Sequence, residues 1–114
     1  MSTDWTRKAV GVQWPDVWVW ADQIRQEFGF WTDIRIGPPL PSAPKRGKWG
    51  TISVTLAKYQ EGGSSRSIHR WAYLCDPMRC RAEDQALQLL VAMHQQLDTE
   101  AWEAERATRP PAGM

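Results

Sequence analysis

Two histidines and two cysteines are the side chains of this 114-residue chain best suited to hold a metal or act as nucleophiles, so their spacing bounds its chemistry. His69 and Cys75 are six residues apart in a run that alternates as a strand, which at about 3.3 Å per residue separates them by about 20 Å. His94 follows Cys80 by 14 residues along a helical pattern, about 21 Å at 1.5 Å per residue. Ligands so dispersed do not gather into a tetrahedral zinc site, and the same distance removes a Cys–His nucleophilic pair. The cysteines read as free thiols beside a strand-to-helix turn, suited to a reducing compartment. Asp33, Arg35 and His69 remain as polar groups sharing one face, with Asp33 and His69 about 10 Å apart across a middle strand. No carboxylate pair at helical spacing, phosphate-cradling glycine loop or G-x-S-x-G turn accompanies them. The sequence therefore names no catalytic residue and no cofactor.

The elements that carry these residues follow from hydrophobic period. From Trp49 to Tyr59 the even positions Ile52, Val54 and Leu56 are apolar and the odd positions Thr51, Ser53 and Thr55 are small hydroxyl residues, the alternation of a half-buried strand. From Ile68 to Cys75 the even positions Ile68, Ala72 and Leu74 match that core side, with Arg70 as the misfit. The odd ones are His69, Trp71, Tyr73 and Cys75. An antiparallel pair that keeps even opposite even needs a loop of odd length, and Gly62-Gly63-Ser64 supplies one, setting Trp71 opposite Thr55 and Tyr73 opposite Ser53. Phe30 to Ile36 reads as a further strand, with Trp31, Asp33 and Arg35 on the outer side.

Pro15-Asp16 starts a helix whose stripe is Val17, Trp20, Ala21, Ile24 and Phe28 and whose stop is Gly29. Asp76-Pro77 is expected to start a second helix, striped by Ala82, Ala86, Leu89, Leu90, Met93, Leu97, Ala101 and Ala104. Leu87, Val91 and His94 widen the stripe, and its acidic end, with Trp102 off the stripe, projects. Val10, Val12 and Trp14 alternate as a short edge strand, and residues 37–48 form a proline-rich loop. The expected fold is α+β: helix, three-stranded antiparallel sheet, helix (α-β-β-β-α), with both helices on one sheet face. Residues 1–107 form a single domain and 108–114 a disordered tail.

Composition is that of an ordinary globular protein, 42% hydrophobic and 24% charged, but eight tryptophans exceed what one small core can hide. The start Met1-Ser2-Thr3-Asp4 lacks a basic, apolar leader, and no window approaches the ~18 apolar residues of a membrane span, which reads as a soluble cytoplasmic protein. The net charge of +1 is unevenly spread: residues 34–81 balance to +7, the first 33 residues to −2 and the last 33 to −4. Such segregation steers an anionic partner to one side.

These features point to a non-catalytic binding module that presents an aromatic and basic sheet face. Its expected partner-binding residues are Trp31, Arg35, His69, Trp71 and Tyr73, with Lys45, Arg46, Lys48, Arg79 and Arg81 as a charged rim. Exposed tryptophan and tyrosine suit a homodimer interface, and aromatics interleaved with arginine suit stacked bases of nucleic acid. The order of elements is similar to that of double-stranded RNA-binding domains. Lys45–Lys48 and Arg79–Arg81 stand where those domains carry a basic loop and a basic helix start, although their lysine cluster is absent. The alternative is a small-molecule pocket protein or small enzyme whose site, built from Asp33, Arg35 and His69, lies at a dimer interface. Pro41-Ser42-Ala43-Pro44-Lys45-Arg46 satisfies a P-x-x-P-x-R pattern, which inside a tethered loop reads as a structural turn.

Overall fold

The computed structural model describes residues 14–39 and 47–108. The alternating segment at 10–14, apart from Trp14, the P-x-x-P-x-R segment and the tail beyond Thr108 lie outside the described residues. Helix α1 (Pro15–Phe28) begins with proline in its first turn and Asp16 beside its positive end. It stops at Gly29, whose φ of 78° is left-handed and whose N–H donates to the Arg25 carbonyl at 2.8 Å. Val17, Ala21 and Ile24 are buried, and Trp20 and Phe28 pack against the core at its margin. Trp18 and Val19, off the stripe, are exposed.

Three strands follow, β1 (Trp31–Gly37), β2 (Thr51–Tyr59) and β3 (Ser65–Tyr73), in one antiparallel sheet ordered β1-β2-β3. Helix α2 (Ala82–Thr108) closes the described chain. Ile34, Ile52, Val54 and Leu56 face the helices, where they meet Val17 and Ile24 of α1 and Ala86, Leu90, Met93 and Leu97 of α2. Phe30, just ahead of β1, is buried among them. The helix–sheet–helix order and the single apolar sheet face are thus those the hydrophobic period predicts. No described helix is long and apolar enough to cross a membrane.

The β2–β3 hairpin keeps even residues opposite even but sits two residues from the expected register. Ser53 pairs with Trp71, Thr55 with His69 and Thr51 with Tyr73. Gln60 N–H donates to the Ser64 carbonyl at 2.7 Å, so the tight loop is Glu61-Gly62-Gly63 and not Gly62-Gly63-Ser64. The reason is conformational: Gly62 and Gly63 both have positive φ, 89° and 84°, and this loop puts them at its second and third positions, where the expected one would force Ser64 into such a region. Moving the loop back one residue moves every partner by two.

The other end of the sheet is closed by the turn at residues 47–50. Gly50 has φ of 100°, and a Cβ there would lie 2.4 Å from the Gly37 carbonyl oxygen. Its own carbonyl accepts from Leu74 N–H at 2.9 Å. Gly50→Ala is therefore expected to lower unfolding stability by about 2 kcal/mol or more, through backbone strain and the clash with Gly37. Chemical denaturation checks this, and a loss within about 0.5 kcal/mol, the range of neutral surface substitutions, would contradict it.

Between β3 and α2 the chain differs from expectation. Asp76 caps a turn and not the helix: its carboxylate accepts from Met78 N–H at 2.9 Å and its carbonyl from Arg79 and Cys80 N–H at 2.8 and 3.1 Å. That curl brings Cys75 and Cys80, Cα atoms 6.4 Å apart, into a disulfide, so they are not free thiols. Helix α2 starts only at Ala82, with the Arg81 carbonyl accepting from Asp84 and Gln85 N–H. Its last residues, 101–108, are all exposed, as expected of a projecting end. It continues through Thr108, the first residue assigned to the tail.

Candidate partner-binding face

The register assembles the outer side of the sheet into rows. Trp31, Ala57 and Ser67 form one; Asp33, Thr55 and His69 the next; then Arg35, Ser53 and Trp71; and last Gly37, Thr51 and Tyr73. Neighbouring strands lie about 4.8 Å apart, so β1 and β3 side chains stand about 10 Å apart over a floor of small β2 residues. Trp31 stands in the first row on β1 and Trp71 in the third on β3, diagonally across the face, 57% and 52% exposed. All five expected strand residues, Trp31, Arg35, His69, Trp71 and Tyr73, share this face.

Each ring is held by a neighbour. Trp71 and Tyr73 meet edge to face, centroids 5.0 Å apart and planes at 86°. Trp31 carries the Arg25 guanidinium of α1 over its ring at 3.8 Å, a cation–π contact that orients it while leaving it open on the other side. Arg25 was not among the expected residues, because its position on a helix ending before the sheet gives no sign of which strand it reaches. Tyr59 was also missed and is 90% exposed. It continues the odd-numbered series of β2 toward the hairpin tip, so simple alternation was enough to place it.

The face is aromatic but scarcely basic. Arg35 is its only lysine or arginine among the described strand residues, and its Nε donates to Asp33 Oδ2 at 2.8 Å. His69 Nδ1 and Thr55 Oγ1 share a 2.9 Å hydrogen bond. Asp33 lies beyond Thr55 from His69 and is committed to Arg35, so it does not orient the imidazole as a catalytic carboxylate would.

The other strand cations fall at even positions and turn toward the helices, Lys58 to the end of α1 and Arg66 and Arg70 to α2. Lys58 Nζ donates to the Phe28 carbonyl at 3.2 Å, Arg66 pairs with Glu100, and Arg70 Nη2 donates to Gln96 Oε1 at 3.3 Å. The basic middle and the acidic end of the chain thus meet within one molecule. Of the expected rim, Lys48 lies 5.1 Å from the Trp49 ring, Arg79 is exposed in the 76–80 turn, and Arg81 binds Asp84 through both Nε and Nη2 and lies 3.5 Å from Glu83. Lys45 and Arg46 lie outside the described residues. Lys48, Arg79 and Arg81 belong to the two turns that the Leu74–Gly50 bond ties together, at the Tyr73 end of the sheet.

Two carboxylates on the helix side are held below their ordinary range. Hydrogen bonds from Arg66 and then Gln96 hold Glu100 below the usual carboxylate range. Bonds from Gln23 and then His94 do the same for Glu27. His94 Nε2 lies 2.7 Å from Glu27 Oε2, and its ring stands edge-on to Trp20 and Phe28, so it ties α2 to α1. A carboxylate whose folded pKa is depressed stabilises the fold fully above its unfolded value, and the contribution is lost as pH falls through the folded value. Glu100→Gln is therefore expected to be less stable than the parent at neutral pH, with the gap closing below the ordinary carboxylate value of 4.5. Urea midpoints across that range check this, and a gap that persists unchanged at acid pH would contradict it.

Among the described residues no three histidine, cysteine, aspartate or glutamate side chains converge as a metal site would require. Comparison of the chain with family models, curated proteins and solved structures gives no match.

Proposed function

We propose that this chain is a non-catalytic binding module that docks a protein surface on the outer face of its sheet, and that the first such partner is a second copy of itself. The observation that carries the reading is the pair of half-exposed tryptophans on opposite edge strands, flanking a floor of Thr51, Ser53, Thr55 and Ala57. The rings stand on the edge strands and the small residues between them on β2, so a two-fold operation can set the rings of one copy over the floor of the other. Near-neutral charge supports a protein partner over nucleic acid: Arg35 is already paired with Asp33, and Lys58, Arg66 and Arg70 turn away from the rings.

The pocket or enzyme alternative rests on the Thr55–His69 hydrogen bond, a hydroxyl beside a base. It lacks an orienting group, and the face is open.

Sedimentation equilibrium of Trp31→Ala, Trp71→Ala and Tyr73→Ala against Trp102→Ala tests the reading. Weakened dimers in the first three and an unchanged one in the last are expected. Dissociation by Trp102→Ala alone would move the interface to α2. Salt-sensitive oligonucleotide binding by a monomer would replace the reading with a nucleic-acid one.

A further inference from the structure

The Cys75–Cys80 disulfide is not part of either element that it joins: β3 ends at Tyr73 and α2 begins at Ala82. It encloses only Asp76, Pro77, Met78 and Arg79, whose curl is already held by the Asp76 carboxylate and carbonyl. A ring so short constrains the unfolded chain less than a long one would. The approach of α2 to β3 has its own tie, because Gln85 donates to the Tyr73 carbonyl at 2.8 Å and accepts from Cys75 N–H at 3.0 Å. Both cysteines are partly exposed, and neither belongs to the hydrophobic core. The bond is therefore reachable by solutes, and the fold has other supports at the same point.

The two cysteines have oppositely charged neighbours in the chain. Cys80 lies between Arg79 and Arg81, two residues ahead of the 27-residue helix α2, and these features favour a thiolate. Arg81 shares its charge with Asp84 and Glu83, whereas Arg79 has no ion pair among the described residues. Cys75 precedes the Asp76 carboxylate, which disfavours a second negative charge.

We propose that Cys75 and Cys80 form a reversible thiol–disulfide site at which the Cys80 thiolate attacks low-molecular-weight disulfides such as glutathione disulfide. Attack breaks the S–S bond of glutathione disulfide, forms a Cys80–glutathione mixed disulfide and releases one glutathione thiolate. The Cys75 thiolate then attacks the Cys80 sulfur, closing the ring and releasing the second glutathione. The protein dithiol is oxidised by two electrons, glutathione disulfide is reduced, and the two thiol protons end on the two glutathiones. Excess thiol runs the sequence backward.

The test uses the full chain, reduced, freed of reductant and exposed to glutathione disulfide, with products followed by mass spectrometry. The parent should close its disulfide without retaining glutathione and reopen under excess glutathione, its far-ultraviolet circular dichroism unchanged. Cys75→Ser should take up glutathione on Cys80 roughly tenfold faster than Cys80→Ser takes it up on Cys75. Limited alkylation of the reduced parent with iodoacetamide, mapped by peptide, should label Cys80 first, which checks the asymmetry without any substitution. Equal or reversed rates, retained glutathione on the parent, or unfolding on reduction would overturn the proposal. None of these readouts depends on what binds the outer sheet face.

Discussion

Leu90→Ala should lower the unfolding free energy by about 2 to 5 kcal/mol, a large stability effect for a single substitution. Leu90 has no exposed surface and lies on the stripe of α2 among Ile52, Val54, Leu56 and the α1 residues Val17 and Ile24. Truncation removes apolar contacts to both layers and leaves a cavity that neither a helix nor a paired strand can readily fill. A small domain of this kind has about 5 to 15 kcal/mol in total, so the variant should be near the edge of folding at ambient temperature. Urea denaturation of parent and variant measures the difference. A cost within about 0.5 kcal/mol would place Leu90 outside the core, because surface substitutions stay in that range.

Trp71→Ala carries the second large effect, and in a different quantity. The ring is half exposed in the single chain and touches chiefly Tyr73, so its removal should cost less than about 1.5 kcal/mol of folding stability. Self-association should suffer more. An aromatic residue buried at the centre of an interface is worth about 2 kcal/mol or more, which is a dissociation constant raised by roughly thirtyfold. The two numbers separate docking from folding. A variant that loses stability and association in equal measure would make Trp71 structural, and one that loses neither would remove it from the interface.

The sequence made the layers legible because both helices and all three strands obey their period almost without exception. Ile52, Val54 and Leu56 alternate with hydroxyl residues, and the α1 stripe from Val17 to Phe28 needs no tertiary knowledge to be read. The outer face followed from the same alternation, and the register preserved it even where the loop moved. What was not legible depends on contacts between segments distant in sequence. Charge counting put nine cations between residues 34 and 81 and suggested a basic face. It was silent on parity: Lys58, Arg66 and Arg70 are all even-numbered and so lie on the helix side of the sheet, where Glu100 and Gln96 meet two of them. Arg70, a misfit by hydropathy, is explained by the polar edge of α2 beside it.

Local chemistry misled at two turns. Asp76-Pro77 has the residues of a helix start, yet the Asp76 carboxylate bonds to Met78 two residues on, an alternative open to any aspartate at the head of a turn. That choice delays α2 until Ala82 and draws Cys80 back to Cys75. At the hairpin, two glycines allowed three-residue loops of neighbouring register, and the backbone took the one that gives both glycines positive φ.

The central claim is that the outer sheet face docks a second copy, and light scattering coupled to size exclusion, from micromolar to millimolar protein, tests it most directly. The account predicts a mass that rises with concentration toward twice 13.1 kDa in the parent, and the same rise displaced to roughly thirtyfold higher concentration in Trp71→Ala. A parent that remains at the monomer mass throughout, or a dimer indifferent to Trp71→Ala, would contradict it.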